Sequence, residues 1–240
     1  MTSFRDPIIH AEVQSSSIGA KLNWLRAAVL GANDGIVSVS AVVVGVAGAS
    51  HSKVFILTAG VAAVVAGALS MAVGEYVSVS TQRDTEKALL AKERIELDTL
   101  PEEELEELIT IYEKKGLSRG TAEVVGKELT ARDAFAAHVD AELNINPNDL
   151  TNPWHAAYAS GIAFLCGAVI PIIAVLVSPV SLQVPMTFAA VVIALMITGS
   201  LSAHAGGANK MRATIRVVCG GILAMIVTYG IGKIFGVVGI

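Results

Sequence analysis

The sequence predicts an all-α membrane protein with five transmembrane helices and a three-helix cytosolic insert between the second and third of them. The chain has 240 residues, of which 53% are hydrophobic and only 16% are charged. A soluble domain of this size cannot bury so much apolar surface, so lipid is the expected solvent. Charge is also unevenly placed, because 17 of the 21 acidic residues lie within residues 81–150. We therefore divide the chain into a tail with two membrane helices (1–80), an acidic helical domain (81–150) and three further membrane helices (151–240).

Five apolar runs are long enough to cross a bilayer, which takes about 20 helical residues. Each run is continuous and lacks the alternating polarity of membrane β-strands, so helices are predicted. The first run also contains Gly31 and Gly35, a G-x-x-x-G pair that lets another helix approach closely. The runs are 25–49, 54–79, 156–177, 186–203 and 217–238.

Lysine and arginine near the ends of the runs predict the orientation, because cytoplasmic flanks carry more of both. On the opposite side, one loop has Lys53, the other has no basic residue, and Lys233 lies near the C-terminal end. The acidic insert and the N-terminus are therefore predicted to be cytosolic. The basic residues of that side are Arg5, Lys21, Arg26, Lys210, Arg212 and Arg216.

The insert is predicted to contain three helices. The second apolar run continues without Gly or Pro to about residue 98. Thr99 and Glu102 have the spacing of a capping box, which would open a helix that ends at Gly116. Ser118 can cap a third helix, which runs to about residue 143. The middle helix has one apolar packing face, formed by Leu105, Leu108, Ile109 and Tyr112.

Asp34 and Glu75 are the only acidic residues inside the apolar runs. An acid at the bilayer centre costs about 2.5–3.5 kcal/mol on insertion scales, so it is expected to face protein or a water-filled path. Met71 lies four residues before Glu75, and a thioether and a carboxylate on one helical face suit Fe²⁺ or Mn²⁺. The alternatives are that Asp34 is a buried acid satisfied by donors such as Asn33, and that Met71 is a packing residue.

The insert contains acidic residues at spacings that put them on one helical face. Carboxylates from several helices bind a divalent cation when they converge, so the insert is a candidate metal-binding domain. The alternative is a solvated acidic surface, which we expect for Glu102, Glu103 and Glu106. The candidate ligands are the pairs Glu93 and Glu96, Glu104 and Glu107, and His138 and Glu142.

Several other functions lack the residues they need. The sequence has no Gly-rich phosphate loop, no Walker-type lysine and no Glu-x-x-His motif of a di-iron oxidase, so neither an enzyme nor a prosthetic group is predicted. Basic residues are scattered, which argues against nucleic-acid binding. Cys166 and Cys219 lie in apolar runs and are expected to pack as small hydrophobic residues.

Three segments resemble the vacuolar iron transporter family. They are WLRAAVLGANDGIVS at 24–38, MAVGEYVS at 71–78, and Asn152-Pro153 with the Ala- and Ser-rich run after it. The resemblance extends over nearly the whole chain, and the first two motifs are highly specific. The compact tail suggests a prokaryotic member, so the inner membrane of a prokaryotic cell is the expected location.

The resemblance implies a homodimer of five-helix subunits that exchanges cytosolic Fe²⁺, and often Mn²⁺, for protons, with the metal path at the dimer interface. Asp34 and Met71 would be membrane metal ligands, and Glu75 would line the same path. Where the family commonly has methionines before the last glutamate, this chain has His138 and Val139. The glutamates of the cytosolic metal site would be Glu93, Glu96, Glu104, Glu107 and Glu142.

We therefore expect proton-coupled export of divalent iron or manganese from the cytosol. The main alternative is a membrane-anchored metal sensor or scaffold, which would bind metal without transporting it. A membrane ferroxidase is a third hypothesis, and the missing di-iron motifs argue against it. Acids inside the membrane favour transport, because a plain anchor has no need of them.

Overall fold

The computed structural model describes residues 7–147 and 150–238, with side chains described between 24 and 236. Arg5 and the side chain of Lys21, used above to predict orientation, lie outside the described residues. The described ranges contain seven α-helices and no β-strand. The helices are α1 (Pro7–Ala49), α2 (Lys53–Thr99), α3 (Pro101–Lys114), α4 (Arg119–His138), α5 (Pro153–Val177), α6 (Gln183–Ala205) and α7 (Lys210–Val238). A π-helical turn (Val139–Leu143) follows α4, and a 3₁₀ turn (Val180–Leu182) precedes α6.

Five of the described helices are long and apolar enough to cross a membrane, and they are α1, α2, α5, α6 and α7. Each predicted apolar run falls within one of them. This confirms the predicted all-α class with five membrane spans. The helices extend beyond the runs because a helix does not need apolar residues to continue, and α1 begins at Pro7, well before the apolar run that starts at residue 25.

The chain forms two compact units. The membrane unit consists of Gly19–Val77 and Pro153–Ile240, and the insert unit consists of Met1–Ile18 and Ser78–Asn152. Side chains from all five spans form one apolar core in the membrane unit, which holds the spans together by excluding solvent and filling space. Its largest fully buried members include Ile36, Val39, Val43, Ile56, Phe164, Leu195 and Met225.

Glycines bring α1 into backbone contact with two other helices of the membrane unit. A methyl group on Gly31 would lie 2.3 Å from a backbone carbonyl oxygen of α5, and one on Gly35 would lie 2.2 Å from another. The prediction that this pair lets a helix approach closely is confirmed, and the partner is α5 of the same chain. A similar approach joins α1 to α7, where a methyl group on Gly232 would overlap the carbonyl oxygen of Gly45.

In the insert unit, α3 and α4 pack against each other. The predicted apolar face of α3 is confirmed, because Leu108 and Ile109 are buried while Leu105 and Tyr112 are half-buried. Gly126 of α4 lies against this face, and a methyl group there would be 2.8 Å from Cγ1 of Ile109. Burial of a leucine or isoleucine side chain contributes about 1.5–3 kcal/mol, so this contact is a main source of the unit's stability.

The predicted capping box between Thr99 and Glu102 is wrong. Thr99 is the last residue of α2, and its hydroxyl donates a 2.7 Å hydrogen bond to the carbonyl oxygen of Ile95. Leu100 occupies the N-cap position of α3 without a side-chain hydrogen bond. Pro101 begins α3 because its fixed φ suits the first turn and its missing N–H has no partner to lose there.

The predicted helix boundaries at Gly116 and Ser118 are confirmed. Gly116 follows α3 with a φ of +103°, a conformation that glycine adopts without strain. The N–H of Leu117 then reaches the carbonyl oxygen of Tyr112 at 3.2 Å, as in a Schellman motif. Ser118 is the N-cap of α4, and its hydroxyl accepts a hydrogen bond from the N–H of Thr121.

Candidate metal centre

Three potential metal ligands converge in the insert unit from three different helices. Glu93 comes from α2, Glu104 from α3 and His138 from the last turn of α4. Nδ1 of His138 lies 3.0 Å from Oε1 of Glu93 and 3.5 Å from Oε2 of Glu104. The three residues are only 3%, 6% and 0% exposed, respectively. We call them the Glu–Glu–His group, and it joins residues that lie up to 45 positions apart in the sequence.

A local break in α4 gives His138 its position. Asp133 has an extended backbone, with φ of −164° and ψ of 96°, so the helix is interrupted there. The Asp133 carboxylate accepts a 2.9 Å hydrogen bond from the N–H of Ala136, which is the interaction of an N-cap and restarts the helix. The π-helical turn begins directly after His138, and such turns are frequent at functional sites.

Burial and neighbouring negative charges change the pKa values of the Glu–Glu–His group. Burial, followed by the charges of Glu142 and Glu104, raises the pKa of Glu93 to about 7. Burial also raises the pKa of Glu104, and the charge of Glu107 adds to that shift. Burial lowers the pKa of His138, which the charges of Glu142 and Glu107 oppose. The ionised form of the group is therefore costly unless a cation balances its charge.

Polar atoms of the group are buried without hydrogen-bond partners. Although Nδ1 of His138 and Oε1 of Glu93 are only 3.0 Å apart, they are not oriented for a hydrogen bond, and Nε2 of His138 also has no partner. Buried polar atoms without partners cost free energy, so such atoms call for an explanation. Two carboxylates and an imidazole are ligands that a borderline divalent cation such as Fe²⁺ or Mn²⁺ accepts.

The remaining predicted ligands of the insert lie outside this group. Oε2 of Glu142, in the π-helical turn, is 3.9 Å from Nδ1 of His138. Glu96 is half-buried and forms a 2.8 Å ion pair with Lys92. Glu107 is exposed. Among the described residues, one group of His, Cys, Asp and Glu has three ligand atoms within 4.8 Å of one another, and it contains none of these glutamates.

In the membrane unit, Asp34 is half-buried and its carboxylate accepts a hydrogen bond from the hydroxyl of Ser38 on the same helix. This agrees with the alternative that a neighbouring donor satisfies Asp34, but the donor is Ser38; Oδ1 of Asn33, the donor named as an example, accepts a 2.8 Å hydrogen bond from the Thr198 hydroxyl of α6. Met71 is half-buried and packs against the apolar core. Asp34 therefore has a local polar partner, and Met71 has a packing role.

Glu75 is buried and has a partner that the sequence analysis missed. Its Oε1 lies 3.1 Å from Nη2 of Arg26, which is exposed and comes from α1. In the sequence, Arg26 indicates only the orientation of the chain, and 49 residues separate it from Glu75. The available signal was that Arg26 lies at the start of the first apolar run, where a basic side chain can extend toward an acid on a neighbouring helix.

Comparison with known proteins identifies the family. The sequence profile of the VIT family matches residues 25–233. The chain belongs to the VIT family. A vacuolar iron transporter of Acanthamoeba castellanii is 42% identical over 94% of this chain and 84% of its own length. Vacuolar iron transporter homolog 1 of Oryza sativa subsp. japonica is 37% identical (92% and 78%), and homolog 2 of Arabidopsis thaliana is 33% identical (97% and 94%).

The insert of this VIT-family chain also has acidic residues that are surface groups, as predicted. Glu102, Glu103 and Glu106 are exposed. The guanidinium of Arg119 is 2.7 Å from a carboxylate oxygen of Glu106, and that hydrogen bond lowers the pKa of Glu106. Water screens exposed ion pairs of this kind, so they add surface charge and little stability.

Proposed function

We propose that this VIT-family chain exports divalent iron or manganese, or both, from the cytosol in exchange for protons. The observation that carries the proposal is the buried Glu–Glu–His group. Oε1 of Glu93 and both ring nitrogens of His138 lack hydrogen-bond partners there, and a divalent cation would balance the carboxylate charge. The relatives named as iron transporters support iron as the substrate. The proposal includes no catalytic step and no prosthetic group.

In this proposal the insert unit captures the ion on the cytosolic side. Because the pKa of Glu93 is about 7, this carboxyl group carries a proton for part of the time at neutral pH. A cation that binds there favours the ionised form, so capture releases a proton. Glu96, Glu107 and Glu142 surround the group with negative charge, which attracts cations and is stronger at low ionic strength.

Asp34, Met71 and Glu75 would then carry the ion across the membrane. Without metal, the guanidinium of Arg26 forms an ion pair with Glu75. An arriving metal ion must therefore displace the guanidinium before it reaches the carboxylate. We assign the release of metal to protonation of these acids, which removes the charge that holds the ion. The proton gradient would in this way set the direction of transport.

A homodimer fits the exposed surface of α2. An apolar stripe with one residue every four positions winds gradually around this helix and is exposed in the single chain. Lipid or the same helix of a second subunit would cover it, and in the proposed homodimer the metal path runs beside this stripe. A prokaryotic inner membrane with a cytosolic insert is part of the proposal. The stripe is formed by Val61, Val65, Leu69, Val73 and Val77.

The test is Fe²⁺ flux into proteoliposomes that carry a pH gradient. We expect the Asp34→Ala variant to lose the flux, because the span then has one acidic side chain fewer with which to hold the ion. Asp98→Ala is the matched control, since Asp98 is an exposed aspartate of the insert unit, and it should transport like the wild type. Undiminished flux through Asp34→Ala would refute the assigned path.

A second candidate function is a membrane-anchored metal sensor or scaffold. The observation that favours it is that Asp34 and Glu75 each have a protein partner, so neither needs a metal ion for its charge or polar atoms to be satisfied. The same liposome assay separates the two functions. A scaffold binds Mn²⁺ or Fe²⁺ at the insert and gives no flux in any variant, including the wild type.

A further inference from the structure

A cavity of about 620 Å³ lies in the membrane unit where α1 and α7 end and α6 begins. It has no part in the proposed metal path. Gln183, Lys233, Tyr229, His51 and Ser181 supply its polar lining, while Val180 and Val184 contribute apolar walls. The cavity is large enough for the head group of a phospholipid, and the exposed side chain of Val180 continues its apolar wall to the surface.

Gln183 is the most informative residue of this lining. It is 3% exposed, and its amide nitrogen Nε2 is buried without a hydrogen-bond partner. Gln183 is also the first residue of α6, a helix that no side chain caps. The N-terminal end of a helix carries a partial positive charge and favours anions. A buried donor without a partner beside this end points to a ligand with acceptor oxygens.

The charges around the cavity favour an anion and exclude a metal ion. The ammonium group of Lys233 lies 5.5 Å from the centre of the Tyr229 ring, and both residues line the cavity. The membrane unit contains two acidic residues, Asp34 and Glu75, and neither lines the cavity. Lys53, the other lysine at this end, donates to the backbone carbonyl oxygens at the end of α5. A cation would meet Lys233 here with no carboxylate to offset the repulsion.

We propose that this cavity binds a phosphate group, with Lys233 as the charge partner and Gln183 as the buried donor. Phosphate oxygens accept hydrogen bonds from ammonium, amide and hydroxyl groups together, which are the groups that the lining presents. The phosphate can belong to an anionic phospholipid, whose acyl chains would follow the apolar wall, or to free inorganic phosphate. The proposal does not depend on the transport of metal.

The experiment titrates the purified full-length protein in neutral detergent with phosphatidylglycerol, phosphatidylcholine or inorganic phosphate. Native mass spectrometry counts bound lipid, and thermal unfolding reports stabilisation. We expect phosphatidylglycerol to bind the wild type, and the Lys233→Met variant to bind it about tenfold more weakly because a charge-assisted hydrogen bond is lost. Lys210→Met is the matched control, since Lys210 is an exposed lysine of the same helix outside the cavity, and it should bind like the wild type.

Gln183→Leu keeps the test decisive if Lys233→Met folds poorly. Removing a buried donor without a partner does not destabilise a fold, so this variant should melt at or above the wild-type temperature and still bind about tenfold less lipid. Stabilisation by inorganic phosphate that Lys233→Met abolishes would support the site with a soluble ligand. Failure of the wild type to bind either phosphatidylglycerol or inorganic phosphate, or equal losses of binding in Lys233→Met and Lys210→Met, would overturn the proposal.

Discussion

The insert unit and the membrane unit both contain buried carboxylates, but they satisfy them differently. In the insert unit, Glu93 and His138 face each other with buried polar atoms that have no hydrogen-bond partner. In the membrane unit, Asp34 accepts from Ser38 and Glu75 pairs with Arg26. A site built to hold an ion can leave ligand atoms without protein partners, whereas an acid among apolar helices needs a partner whenever no ion is there. Under the proposed function, this difference corresponds to binding of the ion in the insert unit and passage of the ion through the membrane unit.

The largest expected effect is on metal binding by the insert unit. We expect the double variant Glu93→Ala/Glu104→Ala to bind Mn²⁺ about 100-fold more weakly, because two charged ligands of the buried group are lost. Calorimetric titration of the full-length protein in detergent would measure this. Glu103→Ala is the matched control, since Glu103 precedes Glu104 but is exposed. An unchanged affinity in the double variant would place the metal site elsewhere.

The second largest expected effect is that of pH on the stability of the metal-free protein. With metal removed by a chelator, folded Glu93 keeps a proton that the unfolded chain releases between its ordinary pKa of 4.5 and about 7. Stability should therefore fall as the pH rises through this interval, by on the order of 2 kcal/mol. The lowered pKa of His138 acts in the opposite direction below 6.5.

The comparison of wild type with Glu93→Gln isolates the contribution of Glu93 to this pH dependence. Thermal unfolding between about pH 5 and pH 7.5 should show a steeper loss of stability in the wild type than in the variant. Parallel curves would mean that the pKa of Glu93 is not raised in the folded protein.

The ion pair of the membrane unit should have a smaller effect on stability. Arg26→Gln leaves the buried carboxylate of Glu75 without its cation, which we expect to cost about 1 kcal/mol and to lower the melting temperature by about 2–4 °C. The cost stays small because Arg26 is exposed and water can replace part of the interaction. Arg26→Lys should recover part of the loss, and Arg216→Gln controls for the removal of a positive charge. Equal melting temperatures in Arg26→Gln and wild type would mean that the ion pair between Arg26 and Glu75 does not stabilise the membrane unit.

The smallest effect is expected from Ser38→Ala, which removes the hydroxyl that donates to Asp34. Asp34 is half-buried, so the loss should be about 0.5–1.5 kcal/mol in thermal unfolding. Ser40→Ala is a close control, because its hydroxyl donates to the backbone carbonyl oxygen of Val37 and not to a carboxylate. If both variants lose the same free energy of unfolding, the hydrogen bond to Asp34 contributes no more than one to a backbone carbonyl group.

Features that depend on residues near one another in the sequence were predictable. The apolar runs located all five spans, because bilayer thickness sets the length of a membrane helix. The apolar face of α3 and the caps at Gly116 and Ser118 followed from local spacing. The capping box at Thr99 failed because the same residue can instead end a helix, with its hydroxyl bonded one turn back.

Features that depend on distant residues were not predictable from spacing. The pair of Arg26 and Glu75 joins two helices at positions that no periodicity relates. Glu93 and Glu96 are three residues apart, yet only Glu93 is in the Glu–Glu–His group, because two side chains at this spacing differ in direction by part of a turn. The position of His138 in the group depends on the break in α4 at Asp133. The sequence around Asp133 consists of residues that form helices, so it does not predict this break.

Backbone contact at Gly31 and Gly35 also limits which helix can move. Two carbonyl groups of α5 occupy the space where side chains would otherwise separate the helices, so sliding or rotating α1 would drive backbone atoms into one another. Asp34, located between these glycines, is thereby held at a fixed depth. Any opening and closing around a passing ion is then expected to come from α2, whose apolar segment is the least buried within the chain of the five spans.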